Sequence, residues 1–272
     1  MAQPLPLPQH SYIDTLAEYD RRWRRACLTV GAVTLIVGAA VYHVGLFDGA
    51  RLADGVPSIV SLVGEMLPPN FTEAKSWLWP VLDTLMMSIA GTALAVLFSL
   101  PLAFLAAANT SPHPLIYRVA RIVLNGLRSV PELILGIVFV AAVGFGALPG
   151  VLALGLHSIG MVGKFFAESI EHAHPAPIEA SRAAGHTPMQ VIFHGVLPQI
   201  IPQMADVSIY RWEYNFRAST VMGMVGAGGI GFELMGALRL MQYRDLSAIL
   251  IVVLLMVTLV DGLSGSLRQR FK

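Results

Sequence analysis

The chain has 272 residues, of which 55% are hydrophobic and 13% are charged, and its formal net charge at pH 7 is +1. Soluble domains carry about 25% charged residues, so this composition excludes an ordinary soluble protein. A charge so close to zero gives no sign of nucleic-acid binding. The single cysteine, Cys27, excludes an internal disulfide bond, and the scattered histidines predict no metal site.

The first 46 residues combine a polar segment with an apolar run. We predict a cytoplasmic segment over residues 1–25 and a first transmembrane helix over residues 26–46, because about 20 apolar residues span a bilayer. Part of the polar segment, residues 11–25, could form a helix on the membrane surface. A signal peptide is the alternative, but the apolar run is long and lacks a cleavage site. A cluster of arginines favours a cytoplasmic start: Arg21, Arg22, Arg24 and Arg25.

Residues 47–78 predict a periplasmic loop with a short helix over residues 57–67, whose first turn holds Pro57. Five more spans follow within residues 79–272, which we predict to be the core transmembrane domain. The second span covers residues 81–108 with a kink at Pro101, and the third ends near residue 144. After an external turn at 148–150, the fourth span covers residues 151–170. The fifth span starts near Ile200, and the sixth covers residues 246–263. The predicted fold class is all-α, with six transmembrane helices and both termini in the cytoplasm.

Positive charges in the loops support this topology. Most fall on one side, which the positive-inside rule assigns to the cytoplasm. The exceptions are Arg51, Lys75, Arg239 and Arg244. The rule places the polar segment 172–199 in the cytoplasm.

Segment 172–199 predicts two short helices. Pro175 and Pro177 suit a helix start, and Gly185 can adopt the positive φ that ends a helix. Thr187 is a candidate N-cap for a second helix that opens at Pro188. We expect residues 197–198 to turn the chain into the next apolar run.

This segment resembles the EAA loop of binding-protein-dependent ABC importer permeases. The family pattern is Glu-Ala-Ala, three residues, Gly, nine residues, Ile, one residue, Leu-Pro. Ser181 replaces the second alanine, and Gly195 stands where isoleucine is expected. The resemblance implies a coupling loop that docks on an ATPase, and an ordinary connecting loop is the alternative. The implied coupling residues are Glu179, Ala180, Ser181, Gly185, Leu197 and Pro198.

Charged side chains inside the predicted spans indicate a substrate pathway, because an unpaired charge in a bilayer is costly. One face of the fifth span holds Asp206, Tyr210, Glu213, Arg217 and Thr220, and another face holds Arg211. Glu213 and Arg217 have ion-pair spacing, as do Arg128 and Glu132 in the third span. A structural salt bridge between helices is the alternative. Lys164 and Glu168 share this spacing, and we interpret them as structural.

A glycine-rich run at the end of the fifth span matches the G-x-G-x-x-G pattern, but no strand or β-α-β unit surrounds it. The chain also lacks a Walker A loop, so any ATP must bind to another chain. We predict bent backbone that forms an external gate or a re-entrant turn. Close helix packing through small residues is the alternative. The gate residues are Gly226, Gly228, Gly229 and Gly231.

From about residue 81 onward the chain is similar to the phosphonate ABC importer permease. The similar segments are 128–133, 152–164 and 210–231. The resemblance implies a methionine-permease-like fold in the bacterial inner membrane and a homodimer that alternates access for phosphonate or a related oxyanion such as phosphite. It also implies two cytoplasmic ABC ATPase subunits that carry ATP and magnesium, and a periplasmic phosphonate-binding protein. This chain itself would hold no cofactor.

Two other functions remain open. A phosphate or methionine permease would share the fold, although Arg211 and Arg217 favour an anionic cargo over methionine. An intramembrane enzyme would need a catalytic pair at matched depth. The aspartates near the spans lie at dissimilar depths, so we predict no catalytic residue: Asp83, Asp206 and Asp261.

Overall fold

The computed structural model describes residues 12–271, so the part of the predicted cytoplasmic segment formed by residues 1–11 lies outside the described residues. The chain divides into two compact units, one up to Gly64 and one from Glu65 onward. The first unit contains α1 (Tyr12–Val44) and most of α2 (Gly49–Glu65). Within residues 12–44, the arginine cluster and the apolar run share the uninterrupted helix α1. Our bounds for α2 were wrong, because it begins before Pro57, which lies inside the helix.

The second unit consists of helices joined by short connections. Two π-helical segments flank α9, one at Ile192–Val196 and one at Gly223–Ala227. The α-helices are α3 (Leu78–Ala106), α4 (Pro114–Ser129), α5 (Glu132–Val143), α6 (Ala147–Glu171), α7 (Pro175–Ala183), α8 (Pro188–Val191), α9 (Leu197–Met222), α10 (Ile230–Arg239) and α11 (Tyr243–Gln269).

Four continuous helices within residues 12–271 are long and apolar enough to cross a membrane. They cover Asp14–Val44, Leu78–Ala106, Ala147–Glu171 and Tyr243–Gln269. Two bent helix pairs also qualify: α4 with α5, bent by 83°, and the helical stretch Pro188–Ala227 with α10, bent by 57°. The count reaches the predicted six if each bent pair is one span.

The third span is broken, which corrects our expectation of a continuous helix. The helix ends at Ser129, Val130 is extended, and α5 begins after Pro131. The helical conformation is sterically disfavoured for a residue before proline, and proline has no N–H to donate. Arg128 and Glu132 therefore lie on different helices, and the predicted i,i+4 pair between them does not form.

The external turn lies earlier than predicted. Gly144 and Gly146 adopt positive φ angles of 97° and 127°, and α6 begins directly after them. Pro149 falls in the first turn of α6, where a missing N–H costs no hydrogen bond. The turn that we expected at residues 148–150 is thus helical, because the glycines supply the reversal.

Residues 197–198 do not turn the chain either. Instead, the π-helical segment Ile192–Val196 connects α8 to α9 without a break. The N–H of Leu197 bonds to the carbonyl of Ile192, five residues earlier. This wider register stands directly before Pro198, which cannot donate to the carbonyl four residues before it. The helix therefore passes through the Leu-Pro step.

The core of the second unit lies where α3, α4 and α9 surround α6. Phe166 and Leu154 of α6 are fully buried. Glycines bring the helices close: a Cβ at Gly91 would lie 3.0 Å from the Cβ of Leu154, and one at Gly160 would lie 2.7 Å from the backbone nitrogen of Arg128. Small residues at helix contacts are typical of packing in membranes.

Candidate functional site

The polar segment 172–199 folds as the local signals predict. His174 caps α7 through a bond from the N–H of Ala176 to its Nδ1, and Gly185 ends the helical stretch with a φ of 80°. Thr187 then forms a capping box with Gln190 at the start of α8. Each signal is local, because it depends on residues within one turn.

Three contacts hold this segment together. Gly195 packs against α7, where an added Cβ would lie 3.2 Å from the Cα of Ile178. The Oγ of Ser181 lies 2.7 Å from the Nδ1 of His186. At the base, the N–H of His174 donates to the Oε1 of Gln199 at 2.9 Å. The two residues that depart from the EAA pattern, Ser181 and Gly195, are therefore the ones that face inward.

The remaining residues of the EAA pattern face outward to different degrees. Glu179, Ala180, Gly185 and Pro198 are exposed, and Leu197 is half-buried. The segment thus presents an acidic side chain and small residues on a compact surface.

Two charged residues of α9, Glu213 and Arg217, pair with residues of α11. Glu213 is buried and accepts from Arg217 at 2.8 Å, from Ser264 at 2.9 Å and from Arg268 at 3.2 Å. Arg217 also contacts Asp261 at 3.1 Å. The predicted Glu213–Arg217 pair is thus part of a four-charge network between two helices. Its two exposed members, Arg217 and Asp261, each keep 43% of the side-chain surface accessible.

A second polar cluster lies on the α5 and α6 side of α9. The hydroxyl of Tyr214 donates to the Oε1 of Glu132 at 2.7 Å, and the Oε2 of Glu132 lies 3.3 Å from the Nε2 of His157. The Nδ1 of His157 lies 3.0 Å from the carbonyl oxygen of Val130, in the break between α4 and α5. Glu132 is therefore held in place from two helices.

Arg211 is buried beside this cluster. Its guanidinium lies over the ring of Tyr214, 4.2 Å from the centroid, and its Nε donates to the Oγ of Ser158 at 2.8 Å. Ser158 donates in turn to Asn215, and Asn215 donates to Thr92 of α3. This chain of hydrogen bonds ties α3, α6 and α9 together. The Nη2 of Arg211 has no hydrogen-bond partner among the described residues.

A cleft of about 330 Å³ connects the two charged groups. Glu132, Tyr214 and Arg217 all line it. The other lining residues are apolar: Leu133, Ala218, Val221 and Met222. A carboxylate, a phenol and a guanidinium thus face one small space whose walls are otherwise hydrophobic.

The glycine run breaks the helix as predicted. Gly226, Gly228 and Gly229 have positive φ angles of 103°, 76° and 69°. At Gly231 an added Cβ would lie 1.8 Å from the carbonyl oxygen of Thr220, so this glycine permits a close backbone contact. Bent backbone and close packing, which we considered as alternatives, occur together. No β-strand occurs among residues 12–271, which supports our rejection of a dinucleotide site.

Comparison with known proteins identifies the family. A family model described as "Binding-protein-dependent transport system inner membrane component" matches residues 99–272. The chain belongs to this family. The permease is therefore a transport subunit of an ABC importer and not an enzyme, as predicted, and it is a multi-pass protein of the inner membrane. An importer of this class works with an ATPase and a binding protein.

Two relatives and one solved structure agree with the family. A phosphite transport system permease protein of Stutzerimonas stutzeri is 65% identical over 270 residues, which cover 99% of this chain and 98% of that protein. A phosphate-import permease protein of Mycolicibacterium smegmatis is 43% identical over 223 residues, which cover 82% of this chain and 42% of that protein. The inward-facing MetNI methionine ABC transporter has a TM-score of 0.61 at 22% identity and covers 72% of this chain and 96% of its own chain. This likeness confirms the predicted type I importer permease fold.

The structure places the predicted pathway residues of the permease in different settings. Arg217 and Glu132 share the cleft, whereas Glu213 and Arg211 are buried beside it. Tyr210 is 49% exposed and outside the cleft lining, and Arg128, in the last turn of α4, does not line the cleft either. The predicted face of α9 is therefore not one continuous surface. The predicted Lys164–Glu168 pair does form, at 3.4 Å.

Four residues of the two clusters were absent from the predicted pathway: His157, Tyr214, Asp261 and Arg268. The position of His157 inside the apolar fourth span was a signal that it has a polar partner, because buried polar groups need partners. Arg268 and Asp261 gave no local signal, since their partners lie on α9. Within residues 12–271, no group of three metal-ligating side chains is close enough to hold a metal ion.

Proposed function

We propose that this permease carries a small phosphorus oxyanion, with phosphite as the first candidate and phosphonate as the second. The observation that carries the assignment is the 65% identity to a phosphite permease across nearly both whole chains. The sequence resemblance put phosphonate first, and this relative supports reversing the order. Phosphate is a third candidate, because a phosphate permease is 43% identical over 82% of the chain.

The cleft at α5 and α9 is the proposed contact site for the anion. A guanidinium pairs with phosphorus oxygens through two parallel hydrogen bonds, and Arg217 is the cation that lines the cleft. Two carboxylates, Glu213 and Asp261, already bind Arg217 in part. This sharing would weaken the hold on an anion enough for release. A charge that is 43% exposed within a membrane domain also needs water or a second chain around it.

The polar segment 172–199, called the EAA-like segment from here on, is the proposed docking surface for the ATPase. Its exposed residues Glu179 and Ala180 would contact the ATPase, and Gly185 would set the turn between α7 and α8. ATP and magnesium would bind to the ATPase subunits. We further propose that two copies of this chain pair around the pathway, and that a periplasmic protein for the same anion delivers the cargo. Alternating access would then move the cargo inward.

Uptake in reconstituted vesicles tests the cargo. The permease, its ATPase and its binding protein would be reconstituted together, and ATP-driven uptake of phosphite, methylphosphonate, phosphate and methionine would be compared. We expect phosphite uptake, or methylphosphonate uptake, to exceed the others. Vesicles that take up methionine but none of the three phosphorus compounds would refute the proposal.

Co-purification tests the second copy. Two forms of the full-length permease, each with a different affinity tag, would be co-expressed and purified through one of the tags. Recovery of the other tag in a complex with the ATPase supports a homodimer. Recovery of a different permease chain in its place would contradict it.

A further inference from the structure

One arginine of α4 joins the C-terminal ends of two other helices, α3 and α6, beside the EAA-like segment. Arg121 of α4 donates through Nη2 to both carboxylate oxygens of Glu171, at 2.8 Å each, and Glu171 is the last residue of α6. Its Nε donates to the carbonyl oxygen of Ala106, the last residue of α3, at 2.9 Å. The guanidinium therefore occupies acceptors on two other helices at once.

Two further hydrogen bonds reinforce the same junction. The N–H of Ala108 donates to the Oε1 of Glu171 at 2.8 Å, and the side-chain amide of Asn109 donates to the carbonyl of Ile170 at 2.7 Å. Asn109 also lines a small cavity of about 210 Å³ together with Arg182 and His186 of the EAA-like segment. The junction thus lies next to the proposed ATPase-docking surface, only four residues before Pro175.

From this junction, α4 and α6 stay in close contact toward the cleft. A Cβ at Gly163 would lie 2.6 Å from the Cδ2 of Leu124, and one at Gly160 would lie 2.7 Å from the carbonyl oxygen of Leu124. Further along, His157 of α6 lies at hydrogen-bond distance from the carbonyl of Val130. Packed helices in such contact transmit part of a displacement to one another, because close-packed interiors transmit strain.

The cleft lies near the far end of the α4–α6 contact. His157 faces Glu132, and Glu132 accepts from Tyr214 at the cleft wall. The break at Pro131 allows α5 to change direction there, since hinges absorb motion at helix ends. A displacement of Glu171 would therefore reach Glu132 through α4 and α6.

We propose that Arg121 is a positioning residue that couples the ATPase to the cleft. By holding Glu171 and Ala106 together, it makes α4 follow the EAA-like segment when the ATPase closes. Without it, α6 and α9 could move with the segment while α4, and with it the start of α5 in the cleft wall, lags behind. This inference rests on the proposed docking surface, but it does not depend on which anion is carried.

A thiol-accessibility assay tests the coupling without any cargo. The background variant carries Cys27→Ser and Val221→Cys, because Val221 lines the cleft and is 45% exposed. In complexes with the ATPase, the rate of modification by a water-soluble maleimide is measured with and without ATP and vanadate. In the background variant, we expect the modification rate with ATP and vanadate to differ several-fold from the rate without them.

Arg121→Gln should abolish the ATP-dependent change in the modification rate while ATP hydrolysis continues. Arg121→Lys should keep part of this change, because lysine can still pair with Glu171. Lys164→Gln is the matched control, since Lys164 forms a more exposed pair with Glu168 on the same helix. It should leave the change intact. A full change in Arg121→Gln complexes would overturn the proposal.

A variant with exchanged charges covers the case in which Arg121→Gln fails to assemble. Arg121→Glu combined with Glu171→Arg restores the ion pair with the charges reversed. Recovery of the ATP-dependent change supports the coupling role. An assembled double variant that hydrolyses ATP without any change at residue 221 would overturn it. Failure of the substrate proposal would show separately, as absent phosphite uptake by a wild-type complex whose cleft still responds to ATP.

Discussion

The hydroxyl of Tyr214 donates a 2.7 Å hydrogen bond to Glu132 across the space between α9 and α5. This bond fixes the Glu132 carboxylate, which lines the cleft and lies directly after the helix break at Pro131. The position of the α5 start therefore depends on a residue of α9.

The first prediction concerns this bond. Tyr214→Phe removes the donor and should lower the initial uptake rate by roughly tenfold, because hydrogen bonds to charged groups contribute about 1.5–3 kcal/mol. Tyr210→Phe is the matched control, since Tyr210 lies one turn earlier and outside the cleft lining. Equal uptake by both variants, at equal amounts of assembled complex, would show that the bond has no role in transport.

The second prediction concerns Arg217. Arg217→Met should abolish uptake but leave the permease assembled, because Glu213 keeps hydrogen bonds from Ser264 and Arg268. Arg217→Lys should retain some uptake, since the charge remains but the bidentate geometry is lost. Assembly is measured by co-purification with the ATPase. Wild-type uptake by Arg217→Met would leave Arg217 as a structural partner of Asp261 and Glu213.

The network around Glu213 refines this test. Replacement of both Glu213 and Arg217 by apolar residues would leave Arg268 without its carboxylate, so that double variant does not isolate the Arg217 contact. Loss of one partner from a buried ion pair costs about 3–5 kcal/mol. We therefore expect Glu213→Gln to reduce the thermal stability of the purified permease, whereas Arg217→Met should reduce it less.

The third prediction concerns coupling. Glu179→Ala should weaken ATPase association, because it removes an exposed charge from the proposed docking surface. Gly185→Val should do the same through strain, since Gly185 has a φ of 80° and an L-residue there costs about 1–2 kcal/mol. Gly236→Ala serves as the control, because that glycine lies in a helix with open space around it. Normal transport-coupled ATP hydrolysis in both variants would mean that the segment is only a connector.

The fourth prediction concerns the glycine break. Gly231→Ala should strongly destabilise the permease, because its Cβ would overlap the carbonyl oxygen of Thr220. Gly228→Ala meets no atom closer than 3.6 Å and should cost only the strain of its backbone conformation, φ 76° and ψ −160°, about 1–3 kcal/mol. Thermal unfolding of the two purified variants checks the order. A smaller loss for Gly231→Ala than for Gly228→Ala would contradict the close contact.

The fifth prediction concerns topology. In a Cys27→Ser background, cysteines at Pro112 and Ala184 should react only from the cytoplasmic side, and one at Ala53 only from outside. These positions are exposed, whereas Ser181 is buried and would react slowly from either side. Reaction of Ala184→Cys with an impermeant reagent added to intact cells would refute the assigned orientation.

The features that the sequence predicted correctly are local. Pro175, Gly185 and Thr187 act through the conformation of their own turn, and Glu213 and Arg217 pair within one helix. Long apolar runs likewise predict spans without knowledge of packing. The fold class could therefore be predicted from single stretches of chain.

The features that the sequence could not show depend on distant residues. Glu132 pairs with Tyr214, which lies 82 residues away along the chain, and Glu213 pairs with Arg268, which lies 55 residues away. Neither partner has a periodic signal, because the contact exists only after the helices pack. The break at Pro131 was visible in the sequence, but the length needed for a third span favoured a continuous helix.

The most direct test of the central claim is ATP-driven uptake of phosphite by vesicles that contain the permease, its ATPase and its binding protein. We predict uptake that requires ATP and that is abolished by Arg217→Met but not by Tyr210→Phe. Vesicles that hydrolyse ATP and import methionine, but no phosphite, phosphonate or phosphate, would contradict it.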